Sequence, residues 1–265
     1  MNAPTSSLCL IRGGGDLGTG VAWRLTRAGF PVVVAELDSP LTVRRTVALS
    51  TAVTEGQVDV EGMVGRRAAD AAGAVELARV GQVGVMVADD LPPVGAEVVI
   101  DARLAKRNID TTLDDAALVI ALGPGFVAGV DCHAVIETMR GSRLGRVIWD
   151  GPAAANTGTP GTVGGRGAER VVRSPAAGVV EWSVEIGDPV VVGQLLGRVD
   201  GQPVSSPLDG RVRGLIRPET TVTEGTKIGD VDPRLDVAHH EISDKALAVG
   251  GGVLEAVMTW LNTRT

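Results

Sequence analysis

The pattern Gly13-x-Gly15-x-x-Gly18, set between an apolar run and an amphipathic stretch, narrows the possible folds of this chain more than any other segment. Leu8-Cys9-Leu10-Ile11 reads as a short buried strand, the stretch through Ala28 as a helix, and Val32-Val33-Val34-Ala35 as a second buried strand, with Gly29 stopping the helix. Strand, glycine turn, helix, strand is the opening βαβ unit of a doubly wound parallel sheet. In that frame Gly13 permits the tight turn, Gly15 lets backbone approach a phosphate, and Gly18 lets the helix lie close on the sheet. The amides that open the helix, where Asp16 stands, face an anion. Glu36, at the end of the second strand, is positioned to accept hydrogen bonds from ribose hydroxyls, with Asp38 as the fallback. The competing reading is a glycine turn that binds nothing.

The alternation continues. Apolar runs at Val83–Val87, Val98–Ile100, Leu118–Leu122 and Val147–Trp149 predict strands, and the alanine-rich stretches Ala68–Val80 and Ala134–Met139 predict helices. Residues 151–168 then break into closely spaced glycine and proline signals, among them Asn156-Thr157-Gly158-Thr159-Pro160-Gly161 and Gly164-Gly165, which predict a linker. Beyond it lies an internal repeat. Ser174-Pro175, Gly178, Gly193, Gly197 and Val199-Asp200 recur as Ser206-Pro207, Gly210, Gly225, Gly229 and Val231-Asp232, so the offset is 32 throughout (206 − 174, 232 − 200). Two copies of a few short strands each cannot fold alone and must pack together. The predicted fold class is α/β: a Rossmann-like N-terminal domain over 1–165, an appended all-β module over 166–233, and a C-terminal segment over 234–265 with a helix around Val253–Trp260.

The repeat is similar to the biotinyl/lipoyl barrel-sandwich hybrid. Carriers of that kind need a lysine at the hairpin joining the halves, whereas here the hairpin reads Asp200-Gly201-Gln202-Pro203, and no lysine lies between Lys106 and Lys227. The module is therefore expected to hold neither biotin nor lipoate and to serve as structure or docking surface.

A net charge of −7 with scattered basic residues argues against a nucleic-acid partner. Two cysteines, Cys9 and Cys132, give no disulfide framework and fit a reducing compartment. No apolar run approaches membrane-spanning length, and Met1-Asn2-Ala3-Pro4 lacks a basic leader, so a cytoplasmic protein without a membrane is expected.

A second glycine loop, Gly123-Pro124-Gly125-Phe126, follows a predicted strand, the place where open α/β sheets hold ligands. Asp131, His133 and Glu137 come next. On the predicted helix His133 and Glu137 share a face, which suits proton transfer or a metal. The bland alternative makes Asp131 an N-cap and the His–Glu pair a surface contact. Two such groups do not make a metal site. Cys132 is read as a small buried residue more readily than as a thiol nucleophile or chalcogen carrier. Asp101-Ala102-Arg103-Leu104-Ala105-Lys106, at another strand end, and the pair Arg44-Arg45 could each meet a phosphate or be solvated turns.

Taken together, Ile11–Gly20, Arg44–Val47, Leu104–Asn108, Gly123–Phe126 with Asp131 and His133–Thr138, and Ile242-Ser243-Asp244-Lys245 resemble the YqeB-type accessory family associated with selenium-dependent molybdenum hydroxylases. The resemblance runs nearly end to end and is most specific around His133–Gly141. It implies a maturation role: binding a nucleotide or molybdopterin-type cofactor and assisting its selenium or sulfur modification, or its insertion, with a xanthine-dehydrogenase-like molybdenum hydroxylase as client. Cys132 is not part of that family's motif. The rival expectations are an NAD-dependent oxidoreductase, using Glu36 on the ribose and His133 as acid–base, and a non-catalytic scaffold; a homo-oligomer is compatible with each.

Overall fold

The computed structural model describes residues 6–158, 165–236 and 238–264. The predicted linker over 151–168 thus lies partly outside the described residues, as does Met1-Asn2-Ala3-Pro4.

The chain forms two compact units, and they interleave. The first takes the chain as far as Pro40, then Ala48–Thr157, then everything from Ile242; the second takes Leu41–Val47 and Gly158–Glu241. These units divide the chain differently from the expected 1–165, 166–233 and 234–265, with the helix Asp244–Asn262 in the first unit.

In the first unit β1 (Cys9–Arg12), α1 (Asp16–Arg27) and β2 (Val32–Glu36) follow the predicted order, and then come α2 (Thr51–Glu55) and the hairpin β3 (Gln57–Val60) and β4 (Met63–Arg67). After these run α3 (Ala71–Arg79), β5 (Val83–Val87), β6 (Val98–Asp101), β7 (Leu118–Leu122), β8 (Val127–Ala128), β9 (Ala134–Ile136), β10 (Val147–Ile148) and β11 (Gly151–Pro152). One nine-stranded sheet runs β10-β9-β7-β6-β1-β2-β5-β4-β3. Strands β9 through β4 in that order are parallel, and the two edge strands β10 and β3 are antiparallel to their neighbours. Strands buried on both faces carry unbroken apolar runs, and β1, β6, β7 and β9 are buried along their whole lengths.

Ala134–Ile136 is a strand, where the sequence predicts a helix. The stretch Ala134-Val135-Ile136 is short and rich in β-branched residues, and β7 offers it a parallel ladder from Ile120 to Leu122. The C-terminal helix α4 (Asp244–Asn262) begins nine residues earlier than predicted, with the Ser243 side chain accepting a hydrogen bond from the Ala246 N–H as its cap.

Glycine sets how closely α4 lies on α1. A Cβ on Gly20 would come within 2.5 Å of the Ala246 carbonyl oxygen, and one on Gly250 within 2.4 Å of the Gly20 carbonyl oxygen. No side chain fits there, so the two helices touch backbone to backbone.

The second unit holds β12 (Val171–Arg173), β13 (Gly178–Trp182), β14 (Pro189–Val190), β15 (Leu195–Val199), β16 (Gln202–Ser205), β17 (Gly210–Leu215), β18 (Thr221–Val222) and β19 (Lys227–Asp232). These make two antiparallel four-stranded sheets, β12-β19-β17-β14 and β16-β15-β13-β18. Adding 32 to β12, β13, β14 and β15 lands on β16, β17, β18 and β19, so one sheet maps onto the other strand for strand. Each sheet mixes strands of both copies, which is why neither copy could close a core alone. The core repeats as well: Val172/Val204, Val180/Val212, Val190/Val222, Leu196/Ile228 and Val199/Val231 all lie in one cluster. So do the turns, where Ser174 Oγ donates to the Ala176 carbonyl as Ser206 Oγ does to Leu208. The hairpin between β15 and β16 turns on Asp200 and Gly201, both at positive φ, and carries no lysine.

Candidate functional site

All strands from β9 to β4 point their carboxyl ends to one edge. Strand order reverses about β1: β2 and β5 lie to one side, β6, β7 and β9 to the other. Such a reversal opens a crevice at the carboxyl edge of a doubly wound sheet.

Here an ion-pair cluster takes up part of that edge. Arg12 ends β1, is nearly fully buried, and forms a bidentate pair with Asp110 at 2.8 and 2.9 Å. Asp110 also receives Arg103 at 2.6 Å, and Arg103 binds the buried Asp101 that ends β6. Thr111 Oγ1 donates to Asp101 at 2.7 Å. Hydrogen bonding from the Arg12 guanidinium, reinforced by Arg103, pulls the Asp110 carboxyl down to about 2. Chain order would not reveal this cluster, since Arg12 and Asp110 are 98 residues apart.

The opening glycine bend is partly closed as well. Gly13 turns the chain at φ +103°, and a Cβ on it would meet the Ala102 backbone at 3.0 Å. Its N–H goes to the Ala35 carbonyl, while the Gly14 N–H donates to Glu36 Oε2 at 2.7 Å. The other Glu36 oxygen receives the Leu37 N–H at 2.8 Å. Burial raises the Glu36 pKa against these two amides, which lower it. Glu36 therefore ties the bend to β2, and the ribose role drawn from the sequence meets a carboxylate whose two oxygens already hold backbone. Gly18 packs the helix on the turn, where a Cβ would reach within 2.0 Å of the Gly13 carbonyl oxygen. Gly15 caps α1 with no side-chain hydrogen bond to the first-turn amides, and Asp16 is the acidic residue of that turn.

The two loops predicted to flank a ligand do meet. Gly123 at φ +77° lies against Thr138, and Gly125 at φ +102° lies against the backbone of Lys106 and Arg107. Leu104 and Lys106 themselves hold positive φ, 55° and 62°, a costly conformation outside glycine, in an exposed loop pinned by the Asn108 N–H to the Gly125 carbonyl. Asn108 Nδ2 also donates to Asp131 Oδ1, and the second Asp131 oxygen receives the Val127 N–H at 2.7 Å. Asp131 thus holds two loops together and caps no helix.

His133 and Glu137 do not share a helical face. They flank β9 at its opposite ends, about 13 Å apart along an extended strand. His133 Nδ1 accepts the Val119 N–H at 3.0 Å, which ties it to β7 at the end away from the carboxyl edge. The acid–base role that an oxidoreductase would need from His133 has no support in that position. Glu137 is at the carboxyl edge, almost fully buried, and accepts from the Met139 and Ala154 N–H groups at 2.7 and 2.8 Å.

Arg44 and Arg45 belong to the second unit. There Arg44 Nη2 donates to the Glu241 carbonyl and Arg45 Nε to the Leu215 carbonyl, so one nitrogen of each anchors backbone. Cys132 is fully buried, and burial pushes its thiol up to about 12, which keeps it protonated at neutral pH. Among the described residues no group of three or more His, Cys, Asp or Glu is placed to hold a metal.

The sequence pattern gives no role to Lys245, in the first turn of α4. The neighbouring Asp244 forms a bidentate pair with Arg140 at 2.7 and 2.9 Å, and the next residue, Ala246, abuts Gly20 of α1. Lys245 is thereby brought to the carboxyl edge, where Asp16 and Glu137 lie within its electrostatic reach.

Compared with known proteins, the chain is 47% identical over 258 residues to a protein of Escherichia coli (strain K12) described as "Uncharacterized protein YqeB". The chain is similar to YqeB. The likeness covers 95% of this chain and 47% of YqeB, so the chain spans about half the length of that relative. It supports the YqeB-type resemblance seen in the sequence and carries nothing about molybdenum hydroxylases. No family model matches the chain. A product-bound structure of the ectoine utilization protein EutE (DoeB) from Ruegeria pomeroyi aligns with 84% of this chain and 56% of its own at 16% identity. Its TM-score of 0.23 is too low to bear on fold or function. Among the described residues no helix is long and apolar enough to cross a membrane.

Proposed function

We propose that this chain is an accessory protein in molybdenum-hydroxylase maturation that binds a nucleotide or molybdopterin-type ligand at the carboxyl edge of its nine-stranded sheet. The observation that carries this reading is convergence. Of the stretches that resemble the YqeB-type family, Ile11–Gly20, Leu104–Asn108, Gly123–Phe126, the Glu137–Thr138 segment and Ile242–Lys245 lie far apart in sequence, while Arg44–Val47 belongs to the second unit and His133 to the opposite end of its strand. Gly13 against Ala102, Gly125 against Lys106 and Arg107, Gly123 against Thr138 and Gly20 against Ala246 tie them into one neighbourhood.

The first unit is read as Rossmann-like, with the α1 amides from Gly15 onward as the surface for a phosphate. The second unit is read as a barrel-sandwich module that docks a client hydroxylase, since its joining hairpin offers no amine for a covalent cofactor. A cytoplasmic setting fits a chain whose two thiols are both buried and unpaired.

Co-expression with a molybdenum hydroxylase tests the proposal. Active cofactor per hydroxylase should rise when the chain is present, and a Gly15→Asp variant, which brings a carboxylate to the α1 N-terminus, should lose the gain. Equal occupancy with and without the chain overturns the maturation reading. Equal occupancy with wild type and Gly15→Asp removes the ligand from α1.

A further inference from the structure

The chain has three lysines, Lys106, Lys227 and Lys245, and their settings differ. Lys106 is exposed, and Lys227 reaches Asp230 at 3.5 Å. Lys245 is half-buried, yet among the described residues its ammonium makes no hydrogen bond or ion pair within normal distance. Four charged groups lie within its electrostatic reach: Arg140, Asp16, Glu137 and Asp244. Most of the acidic charge is engaged elsewhere. Asp244 is held by both terminal nitrogens of Arg140, and each Glu137 oxygen accepts a backbone N–H.

A cation that is half out of water without a hydrogen-bonded counter-ion is a costly arrangement. The packing around Lys245 keeps it there. Gly20 and Gly250 close α4 on α1, and Gly145 admits the Ala248 carbonyl within 2.5 Å of where its Cβ would stand, so backbone contacts on two sides fix where α4 presents the side chain. We infer that Lys245 is the ligand-contacting amine of the carboxyl-edge site, and that its partner is a phosphate or pyrophosphate group. This rests on reading the carboxyl edge as the ligand edge, as proposed above. Burial, and then the charge of Arg140, lower the Lys245 pKa, in keeping with a group that waits for an anion.

Competitive acetylation of the intact protein, read lysine by lysine by mass spectrometry, tests the assignment. Lys245 should titrate below the ordinary lysine value. Inorganic pyrophosphate should slow Lys245 acetylation about tenfold, as expected for a site roughly nine-tenths occupied, and leave Lys106 and Lys227 unchanged. Parallel arms with a nucleoside diphosphate and with a pterin phosphate monoester distinguish the two sources of phosphate; stronger protection by either names it. Lys245→Arg should keep anion-induced thermal stabilisation, and Lys245→Met should lose it. Because labelling uses the wild-type chain, a variant that fails to fold does not rescue the idea. Unchanged Lys245 reactivity with all three anions overturns it. Protection without any gain in hydroxylase cofactor leaves Lys245 standing and removes the maturation reading; a gain without protection does the reverse.

Discussion

Arg12 and Asp110 show how one side chain can decide what a crevice is for. Arg12 ends the first strand, where a nucleotide-binding sheet would present backbone, and instead brings a buried guanidinium to a carboxylate from a distant loop. The pair carries a pH signature. Asp110 ordinarily titrates near 3.8 and in the folded chain near 2, so its stabilisation is complete above the unfolded value and is lost as pH falls through about 2. Its side chain is 42% exposed, and solvent screening limits the effect to about 1 kcal/mol. Asp110→Asn should therefore lower the urea midpoint at pH 7 and flatten the acid limb of the stability curve below pH 3.8. An unchanged acid limb would mean that the pair does not hold in solution. Glu36 makes the complementary point, since the acidic residue that the motif assigns to a ribose is the one that stitches the motif to its own strand.

Helix α4 joins the first unit from the far end of the chain. Its cap, Ser243, fixes where it starts; Asp244 pins that start to the segment after β9, and Gly250 sets its distance from α1. Gly250→Val would place a Cβ 2.4 Å from the Gly20 carbonyl oxygen, a backbone atom that cannot rotate away. The helices must part, and the expected cost is about 1–3 kcal/mol. Chemical denaturation should show the drop while circular dichroism keeps the native strand signal. A variant as stable as wild type would show that α1 and α4 are not in backbone contact. Strand β9 is the other instructive element, because its register on β7 separates His133 from Glu137 and leaves only Glu137 at the edge.

Interleaving governs the molecule as a whole. The first unit is finished only by residues after 242, and the second takes Leu41–Val47 from early in the chain, with Arg45 bonded to Leu215 and Val43 packed on the repeat's core. A truncated chain that stops at Thr157 lacks α4 and with it the buried Ala246, Val249, Val253, Ala256 and Val257. Such a protein should bind an apolar dye strongly and aggregate, because the faces that α4 covers become exposed. A monomeric, dye-silent fragment would show that the first unit does not depend on its returning helix.

Local pattern was enough for the βαβ opening, the buried strands β5, β6 and β7, the offset of the repeat and the glycine turns, since each depends on residues within a few positions of one another. Short segments were less legible. Ala134–Ile136 has a composition open to helix or strand, and only the ladder offered by β7 decides it. The β3–β4 hairpin and α2 carry too few residues for periodicity to speak. At the edge, chain order revealed the glycines and Glu137 but not that Arg12 would pair with Asp110, that Glu36 would take the Gly14 N–H, or that Lys245 would come within electrostatic reach of Asp16. Dihedral preference and apolar spacing are properties of neighbours and are written along the chain. Which charge compensates which is a property of distance in space, and it is fixed only once residues 12, 110, 137 and 245 have been folded onto one sheet edge.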